Sequence, residues 1–262
     1  SFPTRRSSDL HHRHGSAGRP GSASAVDALK VERTRSIEVG AKADLFDSRL
    51  SLNLALFQTE TKNARATSDL GAIAFIGERK IKGVEFGFNG TILPGWTAFG
   101  GYTYMDAEIV NGGFTALTVA AVGGQPAKTV LVPSVNTGRQ FPQTARHSFT
   151  IWSNAEILPG LTLGGGAFYT SRVFGGYQDN RSATQDATGA VTINPATRIV
   201  ARTIPGYWRF DARVGYRINE HLDLSINIQN LTDKVYFNQA YTSHYASIAP
   251  GRSAIATLNF KY

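Results

Sequence analysis

A two-residue alternation of apolar and polar side chains constrains this chain more than any other feature. In residues 222–229, LDLSINIQ, Leu222, Leu224, Ile226 and Ile228 share one parity, and Asp223, Ser225, Asn227 and Gln229 share the other. A period of two places these sets on opposite faces of a β-strand. The pattern recurs in Leu50, Leu52, Leu54 and Leu56, and in Phe210, Ala212, Val214, Tyr216 and Ile218. It predicts nine strands, at about 36–46, 50–61, 79–91, 96–108, 142–157, 161–174, 204–218, 221–234 and 249–262. The predicted fold class is all-β.

The connections between these strands alternate in length. Short turns fall at Asp47-Ser48-Arg49 and Asn219-Glu220, and the tetrapeptide Ile-Leu-Pro-Gly occurs at both 92–95 and 157–160. Proline presets φ and glycine accepts positive φ, so Pro-Gly makes a tight turn. The other connections, about 62–78, 109–141, 175–203 and 235–248, are far longer. Short turns at one end and long loops at the other mark a transmembrane antiparallel β-barrel of the bacterial outer membrane. A soluble β-sandwich also alternates, but strands of a dozen residues or more exceed its usual length of about five or six. At about 3.3 Å per residue they are long enough to cross a bilayer. The aliphatic parity then meets outer-membrane lipid, and the polar parity lines a wet interior. Aromatics are expected at the two interfaces: Trp96, Phe260 and Tyr262 at the short-turn end, and Tyr169, Tyr207 and Trp208 at the other.

Composition excludes other classes. No apolar run reaches the ~18 residues of a membrane-spanning helix. Cysteine is absent, which removes disulfides and thiolate metal sites. There is no GxSxG elbow, P-loop or HExxH motif, so an enzyme is not expected; Asp106 and Glu108 read as a solvated strand end rather than as paired catalytic carboxylates. Residues 1–22 hold four arginines, one aspartate and the histidines His11, His12 and His14, and they lack periodicity. They read as an artefactual or disordered segment, not as a nucleic-acid arm or metal site, and no metal or cofactor is expected elsewhere. The segment carries +3 of the net +8, and the remaining +5 is too dilute to suggest a nucleic-acid partner.

Nine strands do not close a single-chain bacterial barrel, whose strand number is even, and an open edge in hydrocarbon leaves backbone groups unsatisfied. Residues 23–262 are therefore expected to be the C-terminal part of a longer barrel. Four motifs point to a family. Asn230-Leu231-Thr232-Asp233-Lys234-Val235-Tyr236 resembles the NLxDKxY segment of TonB-dependent outer-membrane receptors, and residues 29–40, LKVERTRSIEVG, resemble their LKPExSxxxExG entry with Val31 in place of proline. Ile204-Pro205-Gly206-Tyr207 and Pro250-Gly251-Arg252-Ser253 also resemble that family, in particular its siderophore-receptor branch, and the closing Tyr-rich loop followed by Ala249-Pro250-Gly251-Arg252-Ser253-Ala254 most resembles its catecholate-type receptors. The resemblance implies a Gram-negative outer-membrane receptor with a barrel of about 22 strands around a plug. It also implies import of a ferric siderophore, driven by the TonB complex through an N-terminal region that this sequence does not show. A passive porin and a surface-binding barrel are the alternatives.

An anionic ferric chelate would be met by arginine and aromatic side chains. The candidate contacts are Arg139, Arg146, Arg172, Tyr177, Arg209, Tyr241, His244 and Tyr245. By parity Arg146, Arg172, Arg209 and Arg213 are expected to face inward, where carboxylates such as Glu85 and Asp211 could instead pair with them. His244 reads as a solvated loop residue rather than a haem ligand.

Overall fold

The computed structural model describes residues 31–67, 73–240 and 246–261. The segment 1–22, with its histidines, lies outside the described residues, as do Tyr241, His244, Tyr245 and Tyr262. Every regular element among the described residues is a strand. Nine long strands form one antiparallel wall: β1 (Arg33–Leu45), β2 (Leu50–Thr67), β3 (Ile73–Leu93), β4 (Trp96–Asn111), β8 (His147–Leu158), β9 (Leu161–Thr170), β14 (Tyr207–Asn219), β15 (Leu222–Gln229) and β18 (Ser253–Phe260). They pair in that order, which is also chain order, and no pairing joins β1 to β18 among the described residues. The nine predicted strands and these nine correspond, with ends that differ by up to six residues, as at β2 and β3.

The register fixes which parity faces which way. Val214 opposes Ile226 and Leu163, Ile226 opposes Ala256, and Leu54 opposes Phe86 and Ala41. One face of the wall is thus a continuous apolar surface, and much of it is bare: Val39 is 69% and Leu258 63% exposed. A hydrophobic face of this extent costs free energy in water and is stabilised in hydrocarbon, so it is the lipid side. The opposite face carries Glu38, Asn53, Glu85, Asn154, Arg213, Asn227 and Asn259, again by pairing register.

The short turns behave as their residues require. Gly95 and Gly160, each after proline, have φ of 78° and 79°, values that glycine adopts without steric cost. Gly164 and Gly166 on β9 serve a different need. The Trp152 indole lies across both, and a Cβ on Gly166 would sit 2.3 Å from the ring. These two glycines are thus a shelf for an inward tryptophan whose Nε1 donates to Asn154 Oδ1 at 2.9 Å.

The long connections differ from the open loops predicted for them. Residues 109–141 contain the hairpin β5 (Phe114–Val119) and β6 (Lys128–Pro133), then the short β7 (Arg139–Gln140), which returns to pair with β4. Residues 173–204 fold as two nested hairpins, β10 (Val173–Asp179) with β13 (Ile199–Ile204), and β11 (Ser182–Gln185) with β12 (Val191–Asn194). A last small pair is β16 (Phe237–Ala240) with β17 (Ala246–Ile248). Leu117, Val119, Val132 and Ala183 form a small apolar core where two of these hairpins meet. Gln185 fastens it, with Nε2 donating to the carbonyls of Ala120 and Pro126 at 2.7 and 2.9 Å.

Candidate functional site

Two clusters of arginine and aromatic side chains lie toward the long-loop end. The first is carried by the wall. Arg209 on β14 pairs with Asp211 at 2.9 Å and lies 4.5 Å from the ring centroid of Phe168. Asp211 is buried, and its other oxygen accepts the backbone N–H of Asn230 at 2.9 Å. Tyr207 stacks on Tyr236 at 4.1 Å, inside the wall rather than in the outer aromatic girdle that its position suggested. It shares the parity of Arg209, whereas Trp208, which packs on Tyr169 and Phe149, takes the lipid-facing one.

The Asn230–Lys234 motif explains itself at this cluster. Asn230 is 1% exposed and has φ of 52°, and its side chain accepts from Lys234 N and donates to Lys234 O, both at 2.9 Å. Asp233 Oδ1 accepts the N–H of Arg252 at 2.8 Å, tying the motif to the Pro250–Ser253 segment. Asn and Asp tolerate the left-handed region and can hydrogen-bond their own turn. The two motifs that carry the family resemblance therefore clasp one another.

The second cluster is built by the long connections. Pairing of β7 with β4 brings Arg139 back to the rim of the wall, and Gln143 N donates to Phe174 O at 2.7 Å, holding β10 beside it. The Arg139 guanidinium lies 4.9 Å from the Tyr177 ring, Tyr177 stacks on Phe174 at 5.7 Å, and Arg172 lies 5.7 Å from Phe174. The result is a ladder in the order Arg139, Tyr177, Phe174, Arg172. Neither arginine forms an ion pair among the described residues. Burial pushes the Tyr177 hydroxyl above its ordinary pKa, against the opposing pull of the Arg139 and Arg146 charges, so it stays a neutral hydrogen-bond donor.

Three of the candidate contacts, Arg139, Arg172 and Tyr177, thus come together. Arg209 belongs to the wall cluster, with Asp211 as the carboxylate partner. Arg146 lies near enough to the ladder for its charge to act on the Tyr177 hydroxyl, and its guanidinium also reaches Asp106 at 3.6 Å. Asp106 shares the lipid-side parity of Tyr102 and Tyr104 and also pairs with Lys82 at 3.5 Å. Glu85 makes no ion pair among the described residues. Phe174 was missed by sequence reasoning because strict alternation separates it from Tyr177. A β-bulge between Phe174 and Gly176 adds one residue and returns both rings to one face. The Gly175-Gly176 pair was the available signal.

The family model described as "TonB dependent receptor-like, beta-barrel" matches residues 5–231. The chain belongs to the TonB-dependent receptor β-barrel family. As part of such a receptor, it is a Gram-negative outer-membrane protein. It is 37% identical over 234 residues to a probable TonB-dependent receptor, BfrD, of Bordetella pertussis, covering 89% of this chain and 28% of that one. It is 31% identical over 248 residues to the catecholate siderophore receptor Fiu of Escherichia coli K12, covering 94% and 28%. Among solved structures, the siderophore receptor PiuA from Acinetobacter baumannii superposes with a TM-score of 0.66 at 35% identity, over 87% of this chain and 28% of that one. The chain therefore spans less than a third of the length of these TonB-dependent receptors. All three are receptors, in keeping with a non-enzymatic role.

Proposed function

We propose that the receptor containing this chain imports a ferric siderophore of the catecholate type through a plugged barrel energised by TonB. The observation that carries this reading is the Arg139–Tyr177–Phe174–Arg172 ladder at the long-loop end, which is the outer mouth of a bacterial barrel. Two guanidinium groups without carboxylate partners among the described residues leave net positive charge beside two aromatic faces. A ferric catecholate presents the complement, with anionic oxygens around the metal and flat aromatic rings outside. Guanidinium donors suit the oxygens, and the Tyr177 and Phe174 faces suit the rings. The catecholate receptor among the chain's relatives supports the same choice of ligand. Tyr241, His244 and Tyr245, which fall within the 235–248 connection of the sequence, belong to the proposed contacts. The wall arginine Arg209 does not, because Asp211 already compensates it.

The test is tryptophan fluorescence quenching of the full-length receptor in detergent, titrated with ferric catecholate, ferric hydroxamate, haem and cobalamin. Saturable quenching by the catecholate complex alone, weakened about tenfold in Arg139→Ala and again in Arg172→Ala, is the expected result, since each charge-assisted contact contributes roughly 1.5 kcal/mol. No binding of any iron chelate, together with open ion conductance in planar bilayers, would replace this function with that of a porin.

A further inference from the structure

The lipid-facing side of the wall carries a notch near its short-turn end. Gly90 on β3 pairs directly with Ala98 on β4, so two of the smallest residues stand side by side. Leu50 and Phe88 rise on either side, and Phe46 and Ile92 close the end at the turns. The groove encloses about 360 Å³. Its depth depends on Gly90, where an added Cβ would lie 2.8 Å from the Arg49 carbonyl and 3.0 Å from Leu50.

One cation stands at the mouth. Arg49 lines the groove and anchors one end of its guanidinium on Ile92 O at 3.2 Å. Asp47 shares the turn but forms no ion pair with Arg49 among the described residues. The remaining guanidinium donors are free to meet an anion where the apolar wall reaches water. Phe46, 73% exposed in the same turn, provides an aromatic ring at that level.

We propose that this groove seats one acyl chain of a glycerophospholipid in the periplasmic leaflet, with Arg49 holding its phosphate. The short turns of a bacterial barrel face the periplasm, so the groove opens into that leaflet. An acyl chain fits an apolar cleft on a hydrocarbon-facing wall, and a phosphate is the anion present at headgroup level. Guanidinium matches phosphate with parallel N–H donors. The proposal rests on the outer-membrane setting and is independent of the cargo, so failure of the siderophore reading leaves it standing.

Native mass spectrometry of the full-length receptor in mild detergent tests it, with dioleoylphosphatidylglycerol compared against dioleoylglycerol, which has the same chains and no phosphate. One phosphatidylglycerol per receptor is expected, held about tenfold more tightly than dioleoylglycerol. Arg49→Gln, an exposed turn variant, is expected to bring the phospholipid down to the dioleoylglycerol level, and Gly90→Leu to weaken both. Undiminished phosphatidylglycerol binding in Arg49→Gln would overturn the proposal, as would equal binding of the two lipids by the wild type. A receptor dimer that phosphatidylglycerol does not displace would assign the face to a second copy instead and would also overturn it.

Discussion

The Arg209 and Arg139 clusters are made of the same residue types and sit toward the same end of the wall, yet they differ in how their charge is answered. Arg209 meets Asp211 at 2.9 Å, and Asp211 in turn holds Asn230, so that charge is spent within the fold. Among the described residues, Arg139 and Arg172 meet aromatic faces and, for Arg139, the Val135 carbonyl at 2.7 Å, with no carboxylate. A cation answered by a carboxylate holds structure together, whereas one answered by π-faces and carbonyls keeps its net charge for something outside.

Substitutions that affect one cluster and spare the other break or sharpen this contrast. The largest effect is expected at Asp211. Asp211→Ala leaves Arg209 without its carboxylate and Asn230 N without an acceptor, and should destabilise the full-length receptor by about 3 kcal/mol while leaving chelate affinity per folded molecule unchanged. Thermal unfolding read by heat-modifiable gel mobility measures the first, and quenching titrations on the folded fraction measure the second. If Asp211→Ala instead abolished chelate binding at full stability, the two clusters would have exchanged roles. Asn230→Ala comes next. It loses both side-chain bonds to Lys234 and forces alanine into positive φ, for about 2 kcal/mol by the same gel assay.

The ladder should respond in the opposite way. Arg139→Ala and Arg172→Ala together should lower ferric catecholate affinity about a hundredfold, with a shift in stability below ~0.5 kcal/mol. A stability loss comparable to that of Asp211→Ala would show that the ladder is structural too.

The smallest expected effect is a pH response at the outer hairpins. Asp186 Oδ1 accepts from Thr188 Oγ1 at 2.6 Å and from the N–H groups of Thr188 and Ala190 at 2.9 and 3.0 Å. The Thr188 side-chain bond leads in holding its carboxyl below the usual range, followed by the Ala190 bond. A depressed pKa gives stabilisation that is present above the unfolded-state value and lost as pH falls through the folded one. Protection of the Thr188 and Ala190 amides, taken against their intrinsic exchange rates at each pH, should therefore fall on acidification below about pH 4, and Asp186→Asn should remove most of that response. The Asn230–Lys234 clasp should show no matching change.

Much of this contrast was out of reach of the sequence, and particular residues show why. Alternation identified Arg209 as inward, and it is, because residue 209 sits inside a regular ten-pair register with β9. The same rule failed at Phe174 and Tyr177, across a bulge. Periodicity holds only where the ladder is unbroken. The hairpins within 109–141 and 173–204 were hidden for a related reason. Their strands are four to seven residues long, and they are held by contacts such as Gln185 to Ala120 between segments 65 residues apart.

By itself the sequence determined the all-β class, the nine wall strands, the short turns and the lipid-facing parity, because each is set by neighbours two to four residues apart. It also contained the family's motifs, though not the reason for them. Only the tertiary structure decided that Asn230-Leu231-Thr232-Asp233-Lys234 and Pro250-Gly251-Arg252-Ser253 clasp each other. It alone decided that Arg209 pairs with Asp211 while Arg139 and Arg172 form no ion pair among the described residues, and that Gly90 and Ala98 open a groove beside Arg49. Those outcomes depend on which side chains meet across strands, and pairing register, bulges and loop return are fixed only when the whole wall assembles.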